Sequence, residues 1–373
     1  MLYKLKDIFD LQMGKTPSRN NIEYWNTNDY KWVSISDLTK TDKYIYDTKE
    51  YLSKKAVNES GIKIIPANTV IMSFKLSIGK TAITAEDMYS NEAIMAFHDK
   101  HIVEIIPEYI FYLFKYKNWD DGSNKAVMGK TLNKAILSEV EIDICSIEEQ
   151  RKIVNVLDKI MNLISARKKE LSYLDTFIKA RFVEMFGDPV INSKNLPVVT
   201  LGELSELITK GASPCWQGFS YTDDSSQTLF ITSENIREGY IDLSSPKYIE
   251  DGFNEKQRRS VIRKGDFLIN IVGASIGRAA QFNLDCKANM NQAAALVRVK
   301  DNRIKNKYLL IYLNSDRAKH MYDSMKSDTG RANLSLQDIS DLNILLPAVD
   351  KQIEFENFVA QVDKSKLQKF SAA

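Results

Sequence analysis

Two stretches carry the residue types from which an anion site is built. "FKLSIGKTAI" spans 74–83 and "VGASIGRAAQ" spans 272–281. Each sets Ser-Ile-Gly directly before a cation, Lys80 in the first and Arg278 in the second. A glycine lets backbone approach a phosphate closely, and a following Lys or Arg supplies charge. Such a pair could serve nucleotide hydrolysis or plain anion binding, and spacing separates the two. "GKT" at 14–16 and 129–131 matches the tail of a P-loop, which needs another glycine five positions upstream. Those positions hold Phe9 and Asn124. "GASIG" does not have the G-x-G-x-x-G spacing of a dinucleotide site. His98 and His101 are close in sequence, His320 is remote, and no Cys or carboxylate pattern completes a zinc site. There is no G-x-S-x-G elbow and no Asn-Pro-Pro-Tyr or Asp-Pro-Pro-Tyr of an amino-methyltransferase. These absences predict a binder or scaffold with no catalytic residue and no metal.

The same turn occurs twice because a larger unit occurs twice. From Ser77 to Ser275 the displacement is 198 residues, about half of the 373-residue chain. Other matches keep the same order. "GKTPSRN" (14–20) faces "GASPCWQ" (211–217), and "VSISDL" (33–38) faces "ITSENI" (231–236). "IIPANTVIMSFKLSIGK" (64–80) faces "VIRKGDFLINIVGASIGR" (261–278), and "NEA" (91–93) faces "NQA" (291–293). "LSEVEIDI" (137–144) faces "ISDLNILL" (339–346), and Gln150 then faces Gln352. A period this long means two homologous modules, not a solenoid.

The elements that must position these residues are mixed. Each module opens with short β-branched and aromatic segments punctuated by Gly, Pro, Asn and Asp, the pattern of an irregular β-rich globule. "NTVIMSF" and "DFLINIVG" fit buried strands, and Trp32 and Phe230 fit the core. From Ile153 the apolar residues Leu157, Ile160, Ile164, Leu171, Leu174, Ile178 and Met185 step by threes and fours, a heptad seam. Ser146 with Glu149 forms a capping box before it, and Gly187 and Pro189 stop it. The second copy repeats the phase at Phe355, Val359 and Val362 but is short. The sequence therefore predicts an α+β chain. Two β-rich modules, 1–145 and 188–347 (the second with its linker), are each followed by a helix, 146–187 and 348–373. The helices are expected to pack on each other, with the unmatched part of the first facing a partner.

Bulk properties narrow the setting. The chain is 44% hydrophobic and 27% charged with a net charge of +2, globular and only mildly basic. Any nucleic-acid role must rest on local placement of charge. No run approaches the roughly 18–20 apolar residues that span a bilayer, and "MLYKLKDIFD" lacks the apolar core of a signal peptide. A cytoplasmic protein is the expectation. Cys145, Cys215 and Cys286 lie far apart, and their odd number argues against a disulfide framework, leaving them as small buried hydrophobes.

Over nearly its whole length the chain resembles the specificity subunits of type I restriction-modification enzymes. The residues that carry the resemblance are "LQMGKTPSRN" with its repeat "ITKGASPCWQ", the "SIGK"/"SIGR" turn, "IEEQRKIV" after "EIDI", and "RFVEMFGDP" at the first helix end. The chain departs from the pattern in "ICSIEEQ", where prolines are usual before Glu-Gln, and in Lys351, which replaces that Glu. The resemblance implies that each module is a target recognition domain reading one half of a split double-stranded DNA site, with the helices forming an antiparallel coiled coil that spaces them. It implies two methyltransferase subunits and, in a full complex, restriction subunits, which would carry S-adenosylmethionine, ATP and magnesium. Sequence is read at base edges by polar and basic side chains while phosphates fix register. The candidates in the first module are Lys15, Thr16, Ser18, Arg19, Asn20, Lys75, Ser77, Gly79, Lys80, Lys125 and Lys130. Those in the second are Lys210, Ser213, Trp216, Gln217, Asn270, Ser275, Gly277, Arg278, Asn289, Asn291, Arg331 and Asn333. Other readings of the same residues are a methylation-only or recombination-cassette specificity subunit, and a protein-binding adaptor that does not recognise DNA.

Overall fold

The computed structural model describes residues 1–25, 27–75, 77–119, 132–325 and 333–368. It divides into two compact units, Met1–Arg167 and Lys168–Ala373.

Unit 1 is built on a five-stranded sheet: β1 (Phe9–Met13), β2 (Tyr44–Ile45), β3 (Val70–Ser73), β4 (Thr81–Thr84) and β5 (Ile94–Asp99). The order is β1-β5-β3-β4-β2, antiparallel except at the β4–β2 edge. Side chains alternate between its faces. Val70 and Met72 enter one core with Phe9, Leu11, Ile83, Met95 and Phe97. Ile71 enters another with Ala82, Ile94 and Ala96. Because both faces are covered, β3 reads as a continuous apolar run. The helix Pro107–Tyr116 starts on a proline and buries Tyr109, Ile110, Phe111, Tyr112 and Phe114 against the first core. A smaller sheet joins Tyr30–Val33 to Glu50–Leu52 and Tyr89–Ser90, and there Trp32 is buried as expected.

Unit 2 repeats this plan with β6 (Ser205–Lys210), β7 (Phe267–Asn270), β8 (Ala279–Gln281) and β9 (Ala294–Val299), ordered β6-β9-β7-β8 and antiparallel throughout. Phe267, Ile269, Ala295 and Val297 face one core and Leu268, Ala280, Ala294 and Leu296 the other. Phe230 is fully buried between Phe253 and Ile249. In both units the opening strand pairs with the closing one: Leu2–Lys4 with Glu141–Asp143, and Val198–Thr200 with Asn343–Leu345.

The closing strand of unit 1 runs into a continuous helix, Ile147–Phe186. The Ser146 hydroxyl accepts the Glu149 N–H at 3.4 Å, half of the expected capping box. Gly187 ends the helix at φ +80, its N–H donating to the Val183 carbonyl. At about 1.5 Å per residue its 40 residues extend roughly 60 Å. The heptad seam, expected to pack in part on the second helix and in part on a partner, is divided between the two units instead. Ile153, Val154, Leu157 and Met161 pack on the unit 1 core. Leu174, Ile178, Phe182 and Phe186 pack on the unit 2 core. Ile160 and Ile164 are exposed and Leu171 is half-buried. The reason lies in what else each turn can reach. Asp158 accepts the Lys43 ammonium at 2.6 Å and the Tyr112 hydroxyl, which holds the first turns on module residues.

The terminal helix Val349–Gln368 lies antiparallel to the last turns of the long helix within unit 2. Lys366 pairs with Asp175 at 2.7 Å and Arg181 with Glu354 at 3.1 Å, while Phe182 meets Phe355 edge to face. Phe355, Val359 and Val362 are buried.

A glutamine staples each helix to its own module. Gln150 is fully buried; its Oε1 accepts the Ile106 N–H, and its Nε2 donates to the Glu104 and Cys145 carbonyls. Gln352 is fully buried; its Oε1 accepts the Lys305 N–H, and its Nε2 donates to the Arg303 and Pro347 carbonyls. The cysteine expectation is corrected: Cys145 is half-buried, while Cys215 and Cys286 are exposed. Cys145 packs against the edge of the unit 1 core, while Cys215 and Cys286 lie in surface turns.

Candidate nucleic-acid interface

Strand register gathers the candidate segments at one end of each main sheet. In unit 1, Met13 pairs with Met95, Ser73 with Ile94, and Met72 with Thr81. The segment after β1, the turn from β3 to β4, and the turn before β5 therefore emerge together. Backbone bonds tie them: Gly14 N–H donates to Ile94 O, Lys15 N–H to Ser90 O and Phe74 N–H to Ala93 O. In unit 2, Lys210 pairs with Ala295, Asn270 with Ala294, and Ile269 with Ala279. The same three segments converge there, with the Ile271 N–H donating to Ala293 O. Close approach is built in, since a Cβ on Gly14 would lie 2.1 Å from Asn91 O and one on Gly211 1.8 Å from Met290 O.

In unit 1 the candidates are mostly tied down. Lys15 is exposed and donates its ammonium to the Ser60 carbonyl. The Thr16 hydroxyl bonds Glu92, a residue that sequence reasoning passes over inside the repeated "NEA". Burial pushes the Glu92 carboxyl up, but the Thr16 hydroxyl, its own backbone and the charges of Lys75 and Arg19 together hold it below the ordinary range. That balance places Thr16, Lys75 and Arg19 around one carboxylate. Arg19 pairs with Glu50 and lies over the Trp25 ring at 3.8 Å. Ser18 and Asn20 are exposed. Lys80 donates to Thr39 Oγ1 at 2.6 Å, and the half-buried Ser77 holds the turn by accepting the Ser73 hydroxyl at its carbonyl. Lys125 and Lys130 lie outside the described residues.

In unit 2 the candidates divide differently. Lys210 and Asn333 are exposed, Ser213 and Gln217 are half-buried, and Trp216 is 90% exposed. Arg278 is half-buried beside Ser275, whose carbonyl accepts its N–H. Asn291 holds its own turn by accepting the Ala293 N–H at 3.1 Å, as Asn91 does for Ala93 at 3.0 Å. Two expectations need correction on burial. Asn289 is fully buried and bonded to Ser260, Asn254 and Gln257, so it belongs to the framework. Asn270 is fully buried too; its amide donates to Ser233 O and Ser275 Oγ and braces the turn from within. Arg331 lies outside the described residues.

The two turn glycines need a different reason from the expected one, which is room for a phosphate. Gly79 has φ +87 and Gly277 φ +86. Each faces an aromatic ring of its own unit: a Cβ would lie 2.9 Å from Trp119 Cδ1 and 2.3 Å from Tyr322 Cδ2. Neither ring is legible as a partner, because each comes from a segment with no motif. Among the described residues no cluster of His, Cys, Asp or Glu could hold a metal ion. No described helix is long and apolar enough to cross a membrane. The arrangement can present cations, amides, hydroxyls and one indole from a rigid sheet end.

Comparison with known proteins follows the same repeat. A family model for the type I restriction modification DNA specificity domain matches residues 1–173 and again 194–369. The specificity subunit of the type I restriction enzyme MjaIX from Methanocaldococcus jannaschii is 33% identical over 213 residues, 56% of this chain and 48% of that one. The aligned stretch thus spans about half of that relative's length. A chain from a structural study of assembly and conformational transition of the type I R-M system has a TM-score of 0.54 at 18% identity, covering 100% of this chain and 91% of the other. The type I restriction-modification S subunit from M. genitalium gives 0.51 at 14% identity, covering 100% and 91%. At these identities the structures establish a shared fold.

Proposed function

The chain belongs to the type I restriction-modification DNA specificity family, and from that premise we propose that it is the DNA-recognition subunit of such a complex. It reads a split double-stranded site, one half with each unit. It also scaffolds two methyltransferase subunits and, where present, restriction subunits. Those partners carry the chemistry together with S-adenosylmethionine, ATP and magnesium.

One observation carries this reading. The same three segments converge at one sheet end twice in a single chain, and each end bears the polar and basic side chains that duplex recognition uses. A bipartite site needs two separate readers, and two copies of one module supply them. The polar framework supports the reading as well. Asn270 and Ser73 brace the turns from inside, so residues at the surface are presented from a fixed backbone.

The test is single-molecule sequencing of methylated bases in cells that express this chain with its methyltransferase subunit. A methylated motif made of two short sequences separated by a fixed gap is the expected result. Methylation that depends on this chain but falls on one uninterrupted motif would contradict two-module reading. No chain-dependent methylation, together with no gel shift of genomic duplex by the complex, would leave a protein-binding adaptor.

A further inference from the structure

We propose that Trp216 is a base-stacking contact of unit 2: its indole, carried on a one-turn mount, wedges against a base face that is unstacked when the unit engages duplex DNA. The inference rests on the DNA-recognition reading above and adds the kind of contact and the residue that makes it.

Exposure is the first observation. Trp216 is 90% exposed, in a unit where Phe230, Phe253 and Phe282 are fully buried. Leaving an indole in water forgoes a burial worth about 2–3 kcal/mol for a large apolar side chain. The second is the mount. The Pro214–Gln217 turn begins on a buried proline and ends at Gly218, φ +82, whose N–H donates to Cys215 O while Phe219 N–H donates to Pro214 O. Phe219 then packs edge to face on Phe253, and Lys256 donates to Gln217 O at 2.9 Å. Both ends of the turn are fixed, so the backbone that carries the ring has little freedom left to lose on binding.

The equivalent place in unit 1 holds Arg19, since "GKTPSRN" faces "GASPCWQ". Arg19 is folded onto its own unit, paired with Glu50 and stacked on Trp25. Unit 2 has exchanged a docked cation for an undocked ring at one position of the repeat.

The surroundings favour nucleic acid over protein. A protein hot spot sits within further apolar surface. The adjoining segments here add one exposed ring, Tyr221, and offer exposed Lys210, Lys256, Arg258 and Arg259, which outnumber the exposed Asp223 and Glu255. Asp224 on the neighbouring segment is turned into its own loop by Ser226. A ring with cations beside it matches an unstacked base step flanked by phosphates.

The experiment uses the chain assembled with its methyltransferase subunits and a duplex carrying the methylated motif. Binding is followed by fluorescence anisotropy across a salt series. Trp216→Ala should weaken binding about tenfold to a hundredfold. The salt slope should stay unchanged, because every cation that faces a phosphate remains in place. Trp216→Phe should recover most of the affinity. In the wild-type complex, 2-aminopurine stepped through the unit 2 half-site should change emission at one position, and Trp216→Ala should abolish that change. Equal affinity of wild type and Trp216→Ala would overturn the inference and leave the DNA-recognition reading intact. So would a weakening that tracks release of a methyltransferase subunit, which would make the ring a protein contact. A wild-type complex that binds no duplex would overturn both.

Discussion

Trp119 in unit 1 and Tyr322 in unit 2 do the same job from different surroundings. Each ring lies against the glycine of the Ser-Ile-Gly turn, filling the space that a Cβ would take. Trp119 follows the helix Pro107–Tyr116, and its indole N–H donates to Phe114 O. Tyr322 sits inside a second helix, Asp316–Met325, and is 1% exposed. The turn is repeated as geometry, while the group that supports it has been replaced. The comparison teaches that the backbone frame of a module is held fixed and that side chains around it are exchangeable. Position 19/216 shows the same licence at the surface, with Arg19 docked and Trp216 undocked.

If the frame is shared and the readers are separate, exchange of one module gives the largest effect. Replacing residues 1–145 with the corresponding part of another specificity subunit should change one half of the methylated motif completely and leave the other half untouched. Methylome sequencing reads the outcome; a change in both halves from a folded complex would break the independence of the two units.

The next effect concerns the staples. Gln150→Leu strands the Ile106 N–H and the Glu104 and Cys145 carbonyls, and Gln352→Leu strands the Lys305 N–H and the Arg303 and Pro347 carbonyls. Most of these bonds are part-buried, so each of the three orphaned groups costs about 1–1.5 kcal/mol, the low end of the usual range, and each variant should lose roughly 3–5 kcal/mol. Calorimetry of the full chain should show the loss in unit 1 for the first and in unit 2 for the second. Equal losses in both units from either variant would mean that the units melt as one.

Smaller and unequal effects are expected at the turns. Both glycines have positive φ, which costs a substituted residue about 1–2 kcal/mol. At Gly277→Ala the new methyl would also meet the buried Tyr322 ring at 2.3 Å, for a total of roughly 3 kcal/mol or more. At Gly79→Ala the contact is 2.9 Å with one edge of Trp119, and about 2 kcal/mol should be lost. Denaturant titration of the two variants checks the order; a reversed order would mean that Trp119 is the tighter ring.

The smallest effect lies in the cations. Lys80→Ala and Arg278→Ala should weaken binding to all duplexes alike and lower the salt slope by roughly one unit for each phosphate no longer neutralised. Lys80 already donates to Thr39, so its variant should change the slope less than Arg278→Ala does. A slope unchanged in both variants would remove the turn from the DNA-binding surface.

Much of this organisation is legible in the sequence because it depends on order and period. The two modules, the buried strands and the long helix follow from matched segments and from apolar spacing. What period cannot show is which neighbour claims a face. The seam from Ile153 to Met185 looks uniform, yet Leu157 packs on unit 1, Ile178 on unit 2, and Ile160 between them is exposed. The Gln150–Gln352 match is visible, but its meaning lies in three backbone partners, two of them far off in sequence. Asn289 has the residue type of a base reader and is enclosed by Ser260 and Asn254. Side-chain chemistry names what a residue can bond; only the fold decides whether that partner is protein or solvent.

The pairing of first strand with last sets a clock on biosynthesis. Leu2 finds its partner at Asp143, 141 residues later, and Val198 finds Leu345, 147 residues later. At about 5–20 residues per second, each opening strand waits roughly 7–30 s for its mate to be made. For that interval it is an unpaired β edge, open to any other strand nearby. The wait occurs twice in one round of synthesis, and in each module the Gln staple follows within ten residues of the closing strand. Each module is therefore closed and locked almost at the same moment, late in its own translation.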